Sequence, residues 1–139
     1  MLQLSKYRNQ FKGKTILVAD DVDDVLFYYR SLLQVTGVNI VEARSGNEVL
    51  SICRKQPNID LIMLDIQMPN GDGLYTLTKL KEMKATASVI AQTAHALPTD
   101  RSKYMRMGFD DYICKPLRSE TLFEILDEHL KKWDEEPRK

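Results

Sequence analysis

The chain has 139 residues, 43% hydrophobic and 29% charged, a length and balance that suit one globular domain. Lys+Arg and Asp+Glu both number 20, so there is no basic excess to bind nucleic acid, and no apolar run nears the ~20 residues of a membrane span. Cys53 and Cys114 stand far apart without metal-ligand spacing, which speaks against a disulfide scaffold, suits a reducing cytoplasm and reads as two small buried hydrophobes.

Residues 1–14 are polar, with Tyr7 and Phe11 as apolar anchors, and read as a lead-in or linker. Residues 15–19 form a short buried strand that Asp20-Asp21 ends. Asp23 and Asp24 open a helix carrying Val25, Leu26, Tyr29, Leu32 and Leu33, and Gly37 stops it. A second strand covers 38–43. Ser45 and Glu48 then make a capping box for a helix with Val49, Leu50, Ile52 and Cys53. The third strand, 61–64, runs into Asp65 and a turn at Pro69-Asn70-Gly71. A helix follows from Asp72-Gly73-Leu74, with Leu77, Leu80 and Met83. Residues 88–92 are a fourth strand, ending at Thr93-Ala94-His95. Pro98 suits the first position of the next helix, which ends near Gly108. Residues 110–114 make a short fifth strand before Lys115-Pro116. The last helix starts at about Ser119 and lines up Leu122, Ile125, Leu126, His129, Leu130 and Trp133 on one stripe.

Strand and helix alternate five times, which implies a parallel sheet with helices on both faces. Strands 1, 3 and 4 are the most apolar and are expected at its centre. All carboxyl ends of such a sheet share one edge, where ligands and chemistry gather. Asp20 and Asp21, Asp65, Thr93 and Lys115 end four strands and therefore converge. Three adjacent carboxylates repel and raise at least one pKa, and a hard divalent cation such as Mg²⁺ relieves them. Lys115 adds a positive charge and Thr93 a hydroxyl donor. A carboxylate nucleophile, Mg²⁺, a lysine and a hydroxyl read together as a phosphoryl-transfer site in which Asp65 becomes an aspartyl phosphate.

With these residues in place, the chain from about 14 to 134 resembles a receiver domain of two-component signalling, the phosphoacceptor half of a response regulator. The resemblance rests on Asp20-Asp21, on Asp65 with Met68-Pro69 and Gly73, on Thr93-Ala94, on Gly108 with Asp110-Asp111-Tyr112, and on Lys115-Pro116, in that order. It implies an α/β, flavodoxin-like (βα)5 three-layer sandwich with a five-stranded parallel sheet of order 2-1-3-4-5, of which receivers are themselves a standard example. The receiver domain would span 15–134, after a lead-in at 1–14 and before a charged tail at 135–139.

By the same resemblance Asp65 is the phosphorylated residue. Asp21 and Asp65 bind Mg²⁺ directly with the backbone carbonyl of Gln67, and Asp20 acts mainly through water. Lys115 pairs with Asp65 and then with the phosphoryl group, while Thr93 turns its hydroxyl to a phosphoryl oxygen beside the Ala94 amide. Tyr112 follows as a switch, changing the face formed by helix 4, strand 5 and helix 5, through which a homodimer can form. Gln67 and His95 stand at positions that tune phosphoryl lifetime. Lys115-Pro116 is expected to be cis. Gly71 stands where many relatives carry an apolar residue, so the loop after Asp65 is expected to be looser.

The function that follows is a phosphoacceptor switch, taking phosphoryl from a histidine kinase or a histidine phosphotransfer domain in an Mg²⁺-dependent phosphorelay. Residues 92–96 with Asp100-Arg101, Met107-Gly108 and Asp110-Asp111-Tyr112 look most like receivers of hybrid sensor histidine kinases, cytoplasmic parts of a parent kinase that can be membrane-anchored. The alternatives are a stand-alone single-domain response regulator, a degenerate docking receiver, and an Mg²⁺-dependent aspartyl-phosphate hydrolase. Such hydrolases usually carry a second Asp two residues after the nucleophile, and Gln67 stands there instead, so the leaving group lacks its general acid. A phosphohistidine role for His95 or His129 is set aside, because His129 falls on the packed stripe and His95 on a loop. No DNA-binding output domain is read after Trp133.

Overall fold

The structure is a computed structural model that describes residues 4–68, 73–94 and 100–130. Five strands, β1 (Thr15–Ala19), β2 (Asn39–Ala43), β3 (Leu61–Asp65), β4 (Ser88–Thr93) and β5 (Asp111–Cys114), pair in parallel in the order β2-β1-β3-β4-β5. Helices α1 (Asp23–Leu33), α2 (Gly46–Lys55), α3 (Gly73–Glu82), α4 (Asp100–Met107) and α5 (Ser119–His129) alternate with them. The expected flavodoxin-like order is therefore the observed one, with β3 at the centre.

Burial follows from that order. Every residue of β1 and β3 is buried, and every residue of β4 except Ser88, while β2 and β5 keep exposed positions as edges do. Successive side chains leave a strand on opposite faces. Ile16, Val18, Leu61, Met63, Ile90 and Ile113 meet Leu26, Tyr29 and Leu33 of α1 and Leu122, Phe123 and Leu126 of α5. On the other face, Leu17, Ile62, Leu64 and Val89 meet Val49, Leu50 and Cys53 of α2 and Leu77 and Leu80 of α3. Each fully buried aliphatic side chain contributes about 1.5–3 kcal/mol. Helix α4 buries none of its residues, and its Tyr104 packs only partly against the second cluster.

Local signals explain the helix ends. Helix α1 tightens into a 3₁₀ turn at Gln34–Thr36 and stops at Gly37, whose φ of 83° glycine adopts without strain. Ser45 caps α2 by accepting from the Glu48 amide at 3.1 Å. The Glu48 carboxylate returns to the Arg44 amide at 2.6 Å, one residue upstream of the expected partner.

Residues 4–14, read as a lead-in or linker, pack onto the domain through the expected anchors: Phe11 is 0% exposed and the Tyr7 ring lies 4.3 Å from that of Phe123 on α5. The amides of Asn9 and Phe11 donate to the carbonyls of Val35 and Thr36, so the lead-in closes the α1/α5 layer. Cys53 is buried as expected, but Cys114 is exposed, being the last residue of an edge strand. Leu74, read as a core position of α3, is 46% exposed. Pro69, Asn70, Gly71, Asp72, His95, Pro98 and Trp133 lie outside the described residues. Among those described, no helix is long and apolar enough to cross a membrane.

Candidate functional site

Asp20 and Asp65 reach the carboxyl edge of the sheet in the same way. Each directly follows or ends a buried strand, and each turns its side chain back onto the amide two residues on. Asp20 Oδ1 accepts from the Val22 amide at 2.9 Å, and Asp65 Oδ1 from the Gln67 amide at 3.0 Å. The second oxygens both face Lys115, whose Nζ lies 2.8 Å from Asp20 Oδ2 and 3.3 Å from Asp65 Oδ2. Sequence reasoning paired Lys115 with Asp65; the lysine makes that contact and also one to Asp20, which it sits nearer. Lys115 comes from the far side of the sheet, and its backbone amide donates to the Thr93 carbonyl at 2.8 Å. The Lys115-Pro116 peptide is cis.

Asp21 is exposed beside this buried pair, and carboxylate oxygens of Asp20, Asp21 and Asp65 lie within 4.8 Å of one another. Burial raises the Asp65 carboxyl first; the Asp20 charge raises it further, and the Gln67 amide and Lys115 only partly offset this. Burial is thus the larger cause, ahead of the carboxylate repulsion that the sequence suggested. Burial alone would lower Lys115, but Asp20 and then Asp65 hold it above its ordinary value. Three carboxylates against one ammonium leave a surplus of negative charge on clustered oxygen donors. That donor set fits a hard divalent cation such as Mg²⁺, which takes oxygen ligands and retains waters.

The remaining candidate residues surround this centre. Thr93 is buried at the end of β4, and Ala94 after it is exposed. Gln67 is exposed on its side-chain side while its amide holds Asp65. Tyr112 sits farther along β5, on the second face, with its ring stacked on Tyr104 at 5.2 Å and its hydroxyl buried without a hydrogen-bond partner among the described residues. His129 is not simply part of the packed stripe: its Nε2 lies 2.9 Å from Asp111 Oδ2. Beside the carboxylates opens a groove of about 620 Å³, lined by Val25, Tyr28, Ala94, Lys115, Pro116 and Leu117 among others.

Some polar residues that hold the sheet together were given no role by the sequence. Asp60 accepts from the Thr15 amide and Asp110 from the Val89 amide, so each stitches the start of a strand to its neighbour. Gln92 and Tyr29 form a buried polar pair under the carboxylates. A glutamine in the otherwise apolar run Val89-Ile90-Ala91 was the available signal for it.

Comparison with known proteins agrees with this geometry. Residues 16–127 match the family model described as the response regulator receiver domain. The chain is 32% identical over 138 residues to hybrid signal transduction histidine kinase I of Dictyostelium discoideum, covering 94% of this chain but 8% of that protein. It is 30% identical to the polar-differentiation response regulator DivK of Brucella ovis, covering 84% of this chain and 96% of DivK. Among solved structures, the receiver domain of a sensor histidine kinase from Pseudomonas aeruginosa superposes with a TM-score of 0.75 at 25% identity, covering 84% of this chain and 97% of that one. That structure has a magnesium ion coordinated in its active-site cleft. The chain thus belongs to the response regulator receiver domain family, the phosphoacceptor domains of two-component signalling.

Proposed function

We propose that Asp65 accepts a phosphoryl group from a phosphohistidine, and that the domain serves as the receiver of a hybrid sensor kinase in a cytoplasmic phosphorelay. The observation that carries this reading is the pair of amide-anchored carboxylates, Asp20 and Asp65, that share Lys115 at the carboxyl edge of the sheet. Anchoring one Asp65 oxygen on the Gln67 amide fixes the carboxylate for in-line attack. The bond formed joins an Asp65 oxygen to phosphorus, while the phosphorus–nitrogen bond breaks and its electron pair stays on the imidazole. Lys115 carries positive charge to the incoming phosphoryl oxygens, and the Thr93 hydroxyl and Ala94 amide supply donors to them. Asp20, Asp21, Asp65 and the Gln67 carbonyl are the groups that would hold Mg²⁺, which when bound offsets negative charge on the transferring group. Tyr112 then reports the change to α4, β5 and α5, the face through which a homodimer can form. Gln67 and His95 set how long the phosphoryl group survives.

The donor is a histidine kinase or a histidine phosphotransfer domain, whose helix would enter along the groove between α1 and the β5–α5 connection. Similarity to the Dictyostelium kinase supports the hybrid origin. A stand-alone regulator is the second reading, favoured by a match that spans 96% of DivK. The test is incubation with acetyl phosphate or phosphoramidate and Mg²⁺, followed by intact mass. One phosphoryl group should add to the wild type and none to Asp65→Asn. No gain on the wild type, or equal gain on the variant, sinks the reading.

A further inference from the structure

Away from the phosphoacceptor edge, a second group of ligand-forming side chains gathers where α5 ends against the start of β5. His129 Nε2 lies 2.9 Å from Asp111 Oδ2 and 3.3 Å from Glu128 Oε2, and ligand atoms of all three residues fall within 4.8 Å of one another. A single N–H on Nε2 can point well at only one of the two carboxylates. Asp111 is 3% exposed and is held by its other oxygen, since Oδ1 meets the Tyr112 amide and the Arg101 guanidinium, each at 2.8 Å. Oδ2 is thereby presented to the imidazole. One oxygen fixed by outer partners and one presented is how a ligating carboxylate is oriented. Arg101 answers one of the two negative charges from the Oδ1 side, but it is largely exposed and its charge is screened. Beside the carboxylates opens a cavity of about 180 Å³, lined by Arg101, Asp111, Thr121, Glu124 and Glu128 among others, with room for an ion and its waters to enter.

Donors about 2.0–2.1 Å from a tetrahedral ion stand about 3.3 Å from each other. The separations of 2.9 and 3.3 Å are within a few tenths of an ångström of that spacing. An imidazole with two carboxylates suits Zn²⁺ and its first-row neighbours, whereas Mg²⁺ prefers oxygen ligands. We propose that Asp111, Glu128 and His129 form a binding site for a divalent transition-metal ion of the Zn²⁺ class, completed by water and separate from the carboxylates around Asp65. The ion takes the place of the Nε2 proton, which moves to Nδ1 or to solvent, so the imidazole binds in its neutral form. The bound ion would join β5 to α5 through three ligands. The site does not depend on Asp65 accepting a phosphoryl group.

Zn²⁺ is the probe, titrated in excess Mg²⁺ so that oxygen-only sites are filled first. The chain has two histidines, His95 and His129, so their imidazole nitrogen resonances can be told apart by comparison with His129→Gln. In the wild type, Zn²⁺ should shift the His129 Nε2 resonance and raise the melting temperature, because the ion stabilises only the state that binds it. Glu128→Gln changes a side chain that is 67% exposed and leaves the His129–Asp111 contact in place, so it should fold as the wild type does. It should nevertheless bind Zn²⁺ about tenfold more weakly or worse, since losing a ligand costs at least as much as losing an outer partner. A His129 ring that Zn²⁺ leaves unmoved, or a shift confined to His95, overturns the proposal. So does a Glu128→Gln affinity within about twofold of wild type, which would mean a lone histidine binding the ion. If His129→Gln does not fold, His95→Gln supplies the assignment, and the wild-type and Glu128→Gln titrations decide.

Discussion

Asp65 is more costly to the fold than a strand-ending carboxylate needs to be. It is buried, faces a second buried carboxylate across one lysine, and its acid form is favoured by that setting. Asp65→Asn removes the charge and keeps the shape, while Lys115 retains Asp20 at 2.8 Å, so no new unpaired ammonium is created. The variant should be about 0.5–2 kcal/mol more stable than the wild type in Mg²⁺-free buffer at neutral pH, as function-bearing charges often allow. Urea unfolding in the presence of a chelator measures this. Millimolar Mg²⁺ should then raise the wild-type melting temperature more than that of the variant, because the ion stabilises only the state that binds it. A variant less stable than wild type without the metal would mean that Asp65 is held by its hydrogen bonds and not opposed by its neighbours.

The elements were legible because burial in a parallel sheet writes itself as short apolar runs, and because Asp20, Asp65, Thr93 and Lys115 each follow such a run. What stayed hidden depends on distant neighbours. Tyr7 and Phe11 are deep because they pack into the cluster that α1 and α5 form over the sheet, and no local pattern announces that contact. The preference of Lys115 for Asp20 depends on how a flexible stem settles between two oxygens. Gly73 was read as part of a motif, and the structure supplies its physical reason. A Cβ there would lie 2.5–2.6 Å from the Cγ2, Cα and Cβ of Ile66, the residue after Asp65, and the Gly73 amide donates to the Ile66 carbonyl at 3.2 Å. Alanine is ordinarily the better helix former by roughly 0.5–1 kcal/mol. Here overpacking against backbone reverses the sign, and Gly73→Ala should cost about 1–3 kcal/mol. The same displacement of Ile66 should slow phosphorylation of Asp65 by acetyl phosphate, read as the rate of mass gain. Unchanged stability together with an unchanged rate would show that the turn yields without effect.

Across the whole molecule, the two ends of β5 do different work. Lys115 after its carboxyl end joins the site, while Asp111 at its start ties three elements together. Asp111 is 3% exposed, with Oδ1 meeting the Tyr112 amide and the Arg101 guanidinium of α4, each at 2.8 Å, and Oδ2 meeting His129 of α5. Helix α4 has no buried residue of its own, and among the described residues this ion pair and the Tyr104 stack on Tyr112 help join it to β5. Burial pushes the Asp111 carboxyl up, but His129, the Tyr112 amide and Arg101 outweigh it and hold the group below the usual carboxylate range. A carboxyl held down in the folded state contributes stability above its unfolded value, near ~3.9, and loses it as the pH falls through the folded value. Asp111→Asn should therefore cost about 1.5–3 kcal/mol at neutral pH, the scale of hydrogen bonds to a charged group, with Arg101 adding little because it is largely exposed. In urea unfolding, the gap between wild type and variant should narrow steadily below about pH 4. A gap that stays constant into strong acid would assign the cost to packing rather than charge.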